Sequence, residues 1–205
     1  MRRITLPLAV GLLLACAPRN AKAPTSLPDV ALTAELQRRV ALDQAARERL
    51  TLLLRSGRTP DTAAIYGMLA MDSANTLWLR GVVARNGWPT RATVGEDGVN
   101  AAFLLVQHAD RDTAFQSLVL PMLERAYRLA EVKGQDVALL TDRLASARHQ
   151  PQVFGTQADI VGGRIVLKPI RDSANVDARR AAMGLPPMKE YLRVLDSVYL
   201  GRSHP

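Results

Sequence analysis

The chain has 205 residues, of which 48% are hydrophobic and 22% are charged, a balance typical of a globular protein with one sizeable core. Its formal net charge is +8, from 27 Lys and Arg against 19 Asp and Glu. The basic residues form no block, have few aromatic residues among them and are mixed with acidic ones. This pattern argues against a nucleic-acid-binding protein, and we expect no nucleic acid among the partners.

The chain begins with the elements of an export signal. Two arginines precede an apolar run from Ile4 to Leu14, and Ala15 supplies a small residue at its end. This is the order of a secretory signal peptide, which we predict to cover residues 1–15. The run is about half the ~20 residues that a membrane-spanning helix needs. A transmembrane anchor in the mature chain is therefore not predicted.

Cys16 is the only cysteine, which excludes an intramolecular disulfide and a cysteine-based metal site. The segment Leu13-Leu14-Ala15-Cys16 resembles the bacterial lipobox, in which the cysteine is acylated and the chain is cut just before it. An ordinary signal peptide that contains a cysteine by chance is the alternative. Several acyl chains on Cys16 would anchor the protein stably, whereas a single chain binds a membrane only marginally.

These features predict an exported protein held on the cell envelope by lipid on Cys16. The next residue is Ala17, and not the aspartate associated with retention at the inner membrane. In a cell with two membranes we therefore expect the outer membrane, with the domain facing the periplasm. Residues 16–28 hold three prolines and no apolar periodicity, and predict an extended tether before a domain over residues 29–205.

The first two predicted helices run from Asp29 to about Arg55 and from just after Asp61 to Asn86, with Gly87 as the terminating residue. Each has charged residues on an otherwise apolar face, and these are Asp43 and Arg47 on the first helix and Asp72 on the second. A buried charge is costly unless it is paired or hydrogen-bonded. Two interpretations stay open, a structural network that joins the two helices and a polar pocket between them.

Three further helices are predicted in the middle of the chain. A loop from Trp88 to Gly95 leads to a helix that opens at Asn100 and is apolar on all sides between Ala101 and Val106. An apolar stripe from Phe115 to Leu129 predicts the next helix. A shorter helix is expected over about Asp136 to Arg148.

The last part of the chain departs from the helical pattern and then returns to it. Residues 154–160 and 164–170 are rich in β-branched side chains and flank Gly162-Gly163, which is typical of a β-hairpin. Helices are predicted over Asn175–Met183 and Met188–Leu200. The predicted fold is therefore mainly α, with about six helices in one domain and a single late β-hairpin near 154–170.

The sequence has no phosphate-binding glycine loop, no His-Glu-x-x-His and no Gly-x-Ser-x-Gly, and no cofactor is predicted. It does have Gln107-His108-Ala109-Asp110 and Phe154-Gly155-Thr156-Gln157. With other polar segments in the same order, these resemble a bacterial family described only as a domain of unknown function. That family is typified by Gln-His-Ala-Asp and Tyr-Gly-Thr-Gln, so Phe154 stands where tyrosine is usual. The resemblance covers about residues 32–191 and implies a shared fold but no activity.

His108 is the first candidate for chemistry, although a lone histidine at the end of a buried helix is most often structural. Asp110 follows it closely, and Asp142-Arg143 lie on a later helix that could pack nearby. A histidine oriented by a carboxylate can act as a general base, and an arginine beside it can hold a phosphate or carboxylate. We predict that these residues and Gln157 converge on one cleft.

A metal site is not predicted. His108, Asp110 and His149 could supply ligands, but their spacing matches no template for metal binding.

Two functions of different class follow from the sequence. The first is a binding or envelope-associated module whose ligand is a small molecule or another envelope protein. The second is a small hydrolase or transferase with His108 as general base and Asp142, Arg143 and Gln157 around the substrate. Convergence of these side chains on an open cleft would favour the enzyme, whereas burial and mutual hydrogen bonding would favour the binding module.

Overall fold

The computed structural model describes residues 28–58 and 61–202. Within this part the chain forms seven α-helices and one two-stranded antiparallel sheet, which confirms the prediction of a mainly α fold with a late hairpin. The predicted signal peptide, Cys16 and nearly all of the tether lie outside the described residues. Of the helices that are described, none combines the length and the apolar character needed to cross a membrane.

The elements follow one another in this order: α1 (Val30–Arg55), α2 (Thr62–Asn86), α3 (Arg91–Gln107), α4 (Thr113–Arg128), α5 (Gly134–Ala147), β1 (Ala158–Val161), β2 (Arg164–Leu167), α6 (Val176–Ala182) and α7 (Met188–Leu200). A single 3-10 turn over Ser173–Asn175 leads into α6.

Helix α2 begins and ends where its sequence signals predict. The carboxylate of Asp61 accepts a hydrogen bond from the backbone N–H of Ala64 at 2.6 Å, which caps the first turn. At the other end Gly87 has a φ of 74° and donates its N–H to the carbonyl of Val83. A left-handed residue of this kind stops a helix at little steric cost only when it is glycine.

Helix α3 begins earlier than predicted. The segment up to Gly95 was expected to be a loop, but α3 starts at Arg91 and Gly95 forms a kink within it, with φ 71° and ψ 175°. Thr93 accepts a hydrogen bond from the backbone N–H of Thr90 at 3.0 Å, and this bond stabilises the first turn. The prediction of a loop up to Gly95 and a helix from Asn100 is therefore wrong, because the chain is already helical before this glycine and resumes the helix after it.

The core is centred on α3, which packs against α1, α2, α4 and α5. Its buried apolar side chains meet those of the four surrounding helices, among them Leu36, Leu79, Phe115, Val119, Leu123 and Leu140. Of the stretch predicted to be buried on all sides, only Leu104 is partly exposed. Removal of this apolar surface from water is the main stabilising contribution to the fold.

Some residues of the predicted apolar stripes are more exposed than expected. Leu118 is 49% exposed, Leu129 is 65% exposed, and Ile65 in the first turn of α2 is 39% exposed. Helix α4 turns Phe115, Val119 and Leu123 inward, which leaves Leu118 on the flank of that stripe. Helical periodicity finds the buried face, but the positions of neighbouring helices decide how wide it is.

The hairpin forms around the predicted turn, because Gly162 and Gly163 have φ values of 56° and 70°. Positive φ at both central residues is what a type I′ hairpin turn requires. The strands are shorter than predicted, since only residues 158–161 and 164–167 pair. Residues 154–157 instead belong to a loop, 152–157, whose backbone hydrogen bonds go to buried side chains described below.

Helix α7 coincides with its predicted range and lies on the outside of the domain. It packs against α1 and β2, and none of its residues is buried. It covers polar side chains from several other elements, and two clefts lie along its inner face.

Candidate functional site

Asp43 is the centre of a polar network between α1 and α2. Its carboxylate is 0% exposed and accepts hydrogen bonds from Gln44 Nε2 at 2.8 Å and from Arg47 Nε at 3.1 Å. Arg47 also donates through Nη2 to Asp72 Oδ1 at 2.6 Å, and its Nη1 lies 3.5 Å from the sulfur of Met68. The structure therefore places the three charged residues of the predicted helix pair in one network.

His108 joins this network from α3. It is the residue that ends α3, directly after Gln107, and its Nδ1 lies 2.9 Å from Asp43 Oδ2. The histidine side chain is 12% exposed. A carboxylate at Nδ1 favours the tautomer with a proton on that nitrogen, which leaves Nε2 as an acceptor.

The two carboxylates of the network differ in acidity. Burial by itself raises the pKa of Asp43, but the hydrogen bond and charge of His108, with those of Arg47 and Gln44, outweigh it and hold the pKa below its ordinary value. Burial also raises the pKa of Asp72, and there the charge of Arg47 does not compensate fully. The network thus contains one carboxylate that stays ionised and one that takes up a proton more readily.

Asp43, Asp72 and His108 are also the group among the described residues whose geometry could suit a metal ion, since one ligand atom from each lies within 4.8 Å of the others. The sequence-based set of His108, Asp110 and His149 does not assemble in this way. Arg47 already supplies a positive charge to both carboxylates. A cation would have to displace that guanidinium, so the donor set fits a metal poorly.

Asp142 has a different environment. It is 0% exposed on α5. Its carboxylate accepts the backbone N–H groups of Val153 at 2.7 Å, Phe154 at 3.0 Å and Thr156 at 2.9 Å, and the hydroxyl of Thr156 at 3.0 Å. These bonds occupy its acceptor positions and fix the 152–157 loop against α5. Asp142 therefore holds a loop and does not border the cleft beside it.

Gln152 completes the fixation of that loop from within. Its side-chain Nε2 donates to the carbonyls of Gln157 and Lys168 at 2.9 and 3.0 Å, and its Oε1 accepts the N–H of Gln157 at 2.6 Å. The side chain is fully buried. These bonds hold the loop at the end of the hairpin, where the N–H of Lys168 also donates to the carbonyl of Gln157 at 3.2 Å.

Asp110 and Arg143 form an ion pair between the end of α3 and α5. Arg143 Nη1 lies 2.8 Å from both carboxylate oxygens of Asp110, whose side chain is 57% exposed. Arg143 Nε is buried and has no hydrogen-bond partner among the described residues. Five other buried side-chain atoms among the described residues also lack a partner, and Nε is itself shielded from solvent, so it is an unsatisfied donor and not an open ligand contact.

A cleft of about 290 Å³ lies beside Arg143, and we call it the hairpin cleft. Gln107 and Gln157 supply polar groups to its wall. Most of the remaining lining is apolar or aromatic and comes from α5, the hairpin and α7, namely Leu139, Ile160, Ile165, Tyr191, Leu195 and Tyr199. The wall of the cleft therefore combines polar and apolar groups in comparable measure.

Tyr191 and Arg180 support the same wall. The phenol of Tyr191 donates to the carbonyl of Thr156 at 2.7 Å, and the fully buried Arg180 stacks 4.6 Å from the centre of the tyrosine ring. Arg180 also donates to the carbonyls of Pro186 and Phe154. Arg180 belongs to one of the polar segments on which the family resemblance rests, but neither it nor Tyr191 was assigned a role from the sequence, because their residue types and spacing match no known motif.

A second cleft, of about 540 Å³, adjoins the first, and we call it the α1 cleft. Arg47 and His108 border it from one side. Gln107 and Tyr199 line both clefts, so the two meet at these side chains. His108 also borders a smaller cleft of about 180 Å³ beside Asp72.

The predicted site residues thus fall into two groups. Arg143 and Gln157 line the hairpin cleft, with Asp110 paired to Arg143. His108 pairs with Asp43, and not with Asp142. The pairing of Asp43 with His108 was missed, although a charge on an apolar helix face was the signal that could have found it.

Comparison with known proteins supplies a family for this chain. Neither the curated proteins nor the solved structures include a match. A family model described as "Family of unknown function (DUF6624)" matches residues 28–203, a range that includes all of the residues that the structure describes. This agrees with the resemblance to an uncharacterised domain family drawn from the sequence. The chain therefore belongs to this family of unknown function.

Proposed function

We propose that this chain is an exported lipoprotein, anchored to the cell envelope through Cys16, whose domain binds a small amphipathic anion in the hairpin cleft. The observation that carries the binding proposal is that Arg143 lines that cleft while its ion-pair partner Asp110 engages only one guanidinium nitrogen, Nη1. The anchor rests on Leu13-Leu14-Ala15-Cys16 behind its apolar run.

The guanidinium of Arg143 is the reason for proposing an anionic ligand. Asp110 engages only Nη1 of Arg143, and its exposure to water weakens that ion pair. Nη2, which has no hydrogen-bond partner among the described residues, remains for a carboxylate or phosphate oxygen. Gln107 and Gln157 can add neutral hydrogen bonds to the same group.

The aliphatic part of the wall is the reason for proposing a ligand that carries an apolar segment beside its anionic group. Leu139, Ile160 and Ile165 provide aliphatic walls, and Tyr191 adds an aromatic one. A volume of about 290 Å³ is at the lower end of the range for small-molecule sites. A carboxylate on a short alkyl chain fits both the charge and the surface.

Calorimetric titration of the detergent-solubilised full chain with octanoate tests the binding proposal. We expect saturable binding to the wild type and a loss of about 10-fold to 100-fold in Arg143→Met, because a hydrogen bond to a charged group disappears. Arg148→Met is the matched control, because it removes an exposed arginine that directly follows α5 and does not line the cleft. Octanol should bind both forms equally weakly. Equal octanoate affinity in wild type and Arg143→Met would disprove this site.

The anchor is tested separately by metabolic labelling with an alkyne fatty acid, followed by membrane fractionation. We expect label on the wild type and its recovery with membranes. Cys16→Ser should carry no label and should be soluble or unprocessed. An unmodified Cys16 on a soluble mature chain would rule out the lipoprotein assignment and leave the cleft unaffected.

A further inference from the structure

We infer that His108 is the general base of an esterase site, which hydrolyses a carboxylic ester of the anion held in the hairpin cleft. This inference rests on the proposed binding function and adds an activity to it. Its basis is the position of the histidine between a fully buried carboxylate and the α1 cleft.

The geometry around His108 is that of an oriented base. Asp43 is 0% exposed and holds Nδ1 at 2.9 Å, and it is itself fixed by Arg47 and Gln44. This leaves Nε2 as the unprotonated nitrogen, and the imidazole borders the α1 cleft. A neutral imidazole held in this way can accept a proton from water.

The two clefts together accommodate one elongated substrate. They meet at Gln107 and Tyr199, and His108 follows Gln107 directly in the chain. A molecule whose carboxylate pairs with Arg143 and whose apolar chain lies along Leu139 can extend past Gln107 towards the imidazole. The anion then sets the position of the ester bond relative to His108.

The reaction needs water as its only co-reactant. His108 Nε2 takes one proton from a water molecule as the water oxygen bonds to the acyl carbon. The tetrahedral intermediate then collapses, the acyl carbon–oxygen bond breaks, and the imidazolium returns its proton to the leaving oxygen. The side-chain amide of Gln107 has no partner among the described residues, and its N–H can donate to the developing oxyanion.

The choice of a carboxylic ester follows from the charges that face the imidazole. On α1 these are Asp43, Arg47 and, at the rim of the cleft, Glu48 and Arg55. From the other side the charged residues are Asp72, Arg80, Arg111 and Asp112. Four of these groups are acidic and four are basic, so the surroundings have no excess of positive charge. They therefore suit a neutral acyl group, whose transition state gains one negative charge, better than a multiply charged phosphoryl group.

The probe is the mono-4-nitrophenyl ester of suberic acid, which carries a free carboxylate at one end and an activated ester at the other. Release of nitrophenolate by the full chain should saturate with substrate. His108→Gln should lower kcat by at least about 100-fold with KM nearly unchanged. His149→Gln is the matched control and should behave as wild type. Arg143→Met should raise the KM for this monoester about 10-fold. The corresponding diester lacks the carboxylate, so its KM should be the same for wild type and Arg143→Met.

Asp43 acts here as a positioning residue, and its test is the separation of kcat from KM. Asp43→Asn should lower kcat with KM nearly unchanged, because the imidazole loses the carboxylate that fixes its tautomer and orientation. A purely structural role would change thermal stability and leave kcat at the wild-type value. His108→Gln keeps the test valid if Asp43→Asn does not fold.

The outcomes separate this inference from the binding proposal. Wild-type hydrolysis no faster than that of His108→Gln overturns the inference, even when octanoate binds in an Arg143-dependent way. If hydrolysis is lost in His108→Gln but is unchanged in Arg143→Met, the role of His108 as general base is supported and the anion site at Arg143 is refuted. Loss of activity with EDTA overturns the inference in favour of a metal at Asp43, Asp72 and His108.

Discussion

Two aspartates, Asp43 on α1 and Asp142 on α5, are equally buried and are held in opposite ways. Both are 0% exposed. The carboxylate of Asp142 accepts three backbone N–H groups of the 152–157 loop. The carboxylate of Asp43 is bound only by side chains, and two of these, Arg47 and His108, carry or can carry charge.

The difference indicates what each residue can do. Backbone N–H groups cannot titrate or leave, so Asp142 fixes the shape of a loop, including the wall of the hairpin cleft. The partners of Asp43 can change protonation or rotate, and one of them borders a cleft. Burial alone therefore does not identify a functional acid, whereas the chemical nature of the bonded partners does.

The largest effect is expected at Asp142. In Asp142→Asn one oxygen becomes an NH₂ group that faces N–H donors, so at least one donor loses its partner. We expect a loss of about 3–5 kcal/mol in the free energy of unfolding. Urea denaturation of the full chain measures this loss, with Asp159→Asn on the exposed hairpin as control. A loss no larger than that of the control would mean that Asp142 is not the residue that fixes the loop.

A smaller loss is expected at Asp72. Asp72→Ala removes the partner of Arg47 at 2.6 Å, but Arg47 is 26% exposed and can turn towards water. We therefore expect a loss of about 2–3 kcal/mol, below the cost of breaking a fully buried pair. Thermal unfolding of Asp72→Ala, Arg47→Met and the double variant gives the coupling between them. Strictly additive effects would contradict a shared network.

The contributions of Asp43 and Asp72 to the free energy of unfolding should change with pH in opposite directions. The pKa of Asp43 is below 3.8 in the folded chain, so its stabilising contribution is complete above pH 3.8 and is lost as pH falls through the folded pKa. The pKa of Asp72 is above 3.8, so its contribution is greatest below pH 3.8 and is lost as pH rises through the folded pKa.

Urea denaturation across about pH 3 to pH 7 should reveal this contrast. The stability of wild type relative to Asp43→Asn should decrease towards low pH, and that relative to Asp72→Asn should decrease towards neutral pH. Each pKa unit between folded and unfolded chain is worth roughly 1 kcal/mol. If the stability of wild type relative to each variant followed the same pH curve, the pKa values of Asp43 and Asp72 would not be shifted in opposite directions.

The smallest effect on stability is expected at Asp110, whose side chain is 57% exposed. Asp110→Asn removes the ion pair with Arg143 and should cost no more than about 1 kcal/mol. The same change leaves Arg143 without its competing anion, so octanoate should bind several-fold more tightly at low salt. Weaker binding in Asp110→Asn would mean that the ion pair orients Arg143 for the ligand.

The sequence predicted most of the elements from local signals. Asp61 and Gly87 marked the ends of α2, Gly162-Gly163 marked the hairpin turn, and apolar periodicity marked the helices. It placed Gly95 before a helix where the chain has a kink within one. Propensity indicates that glycine breaks a helix, but packing on both sides of the break decides whether the chain resumes it.

The sequence by itself determined the mainly α class, the late hairpin and the presence of charges on buried helix faces, because these depend on residues close together in the chain. Only the tertiary structure decided which charges meet. Asp43 and His108 are 65 residues apart and touch because α1 packs against α3. Asp142 looked like a partner for that histidine, yet the loop after α5 folds back and occupies it. Long-range contacts are set by the packing of whole helices, which no local pattern encodes.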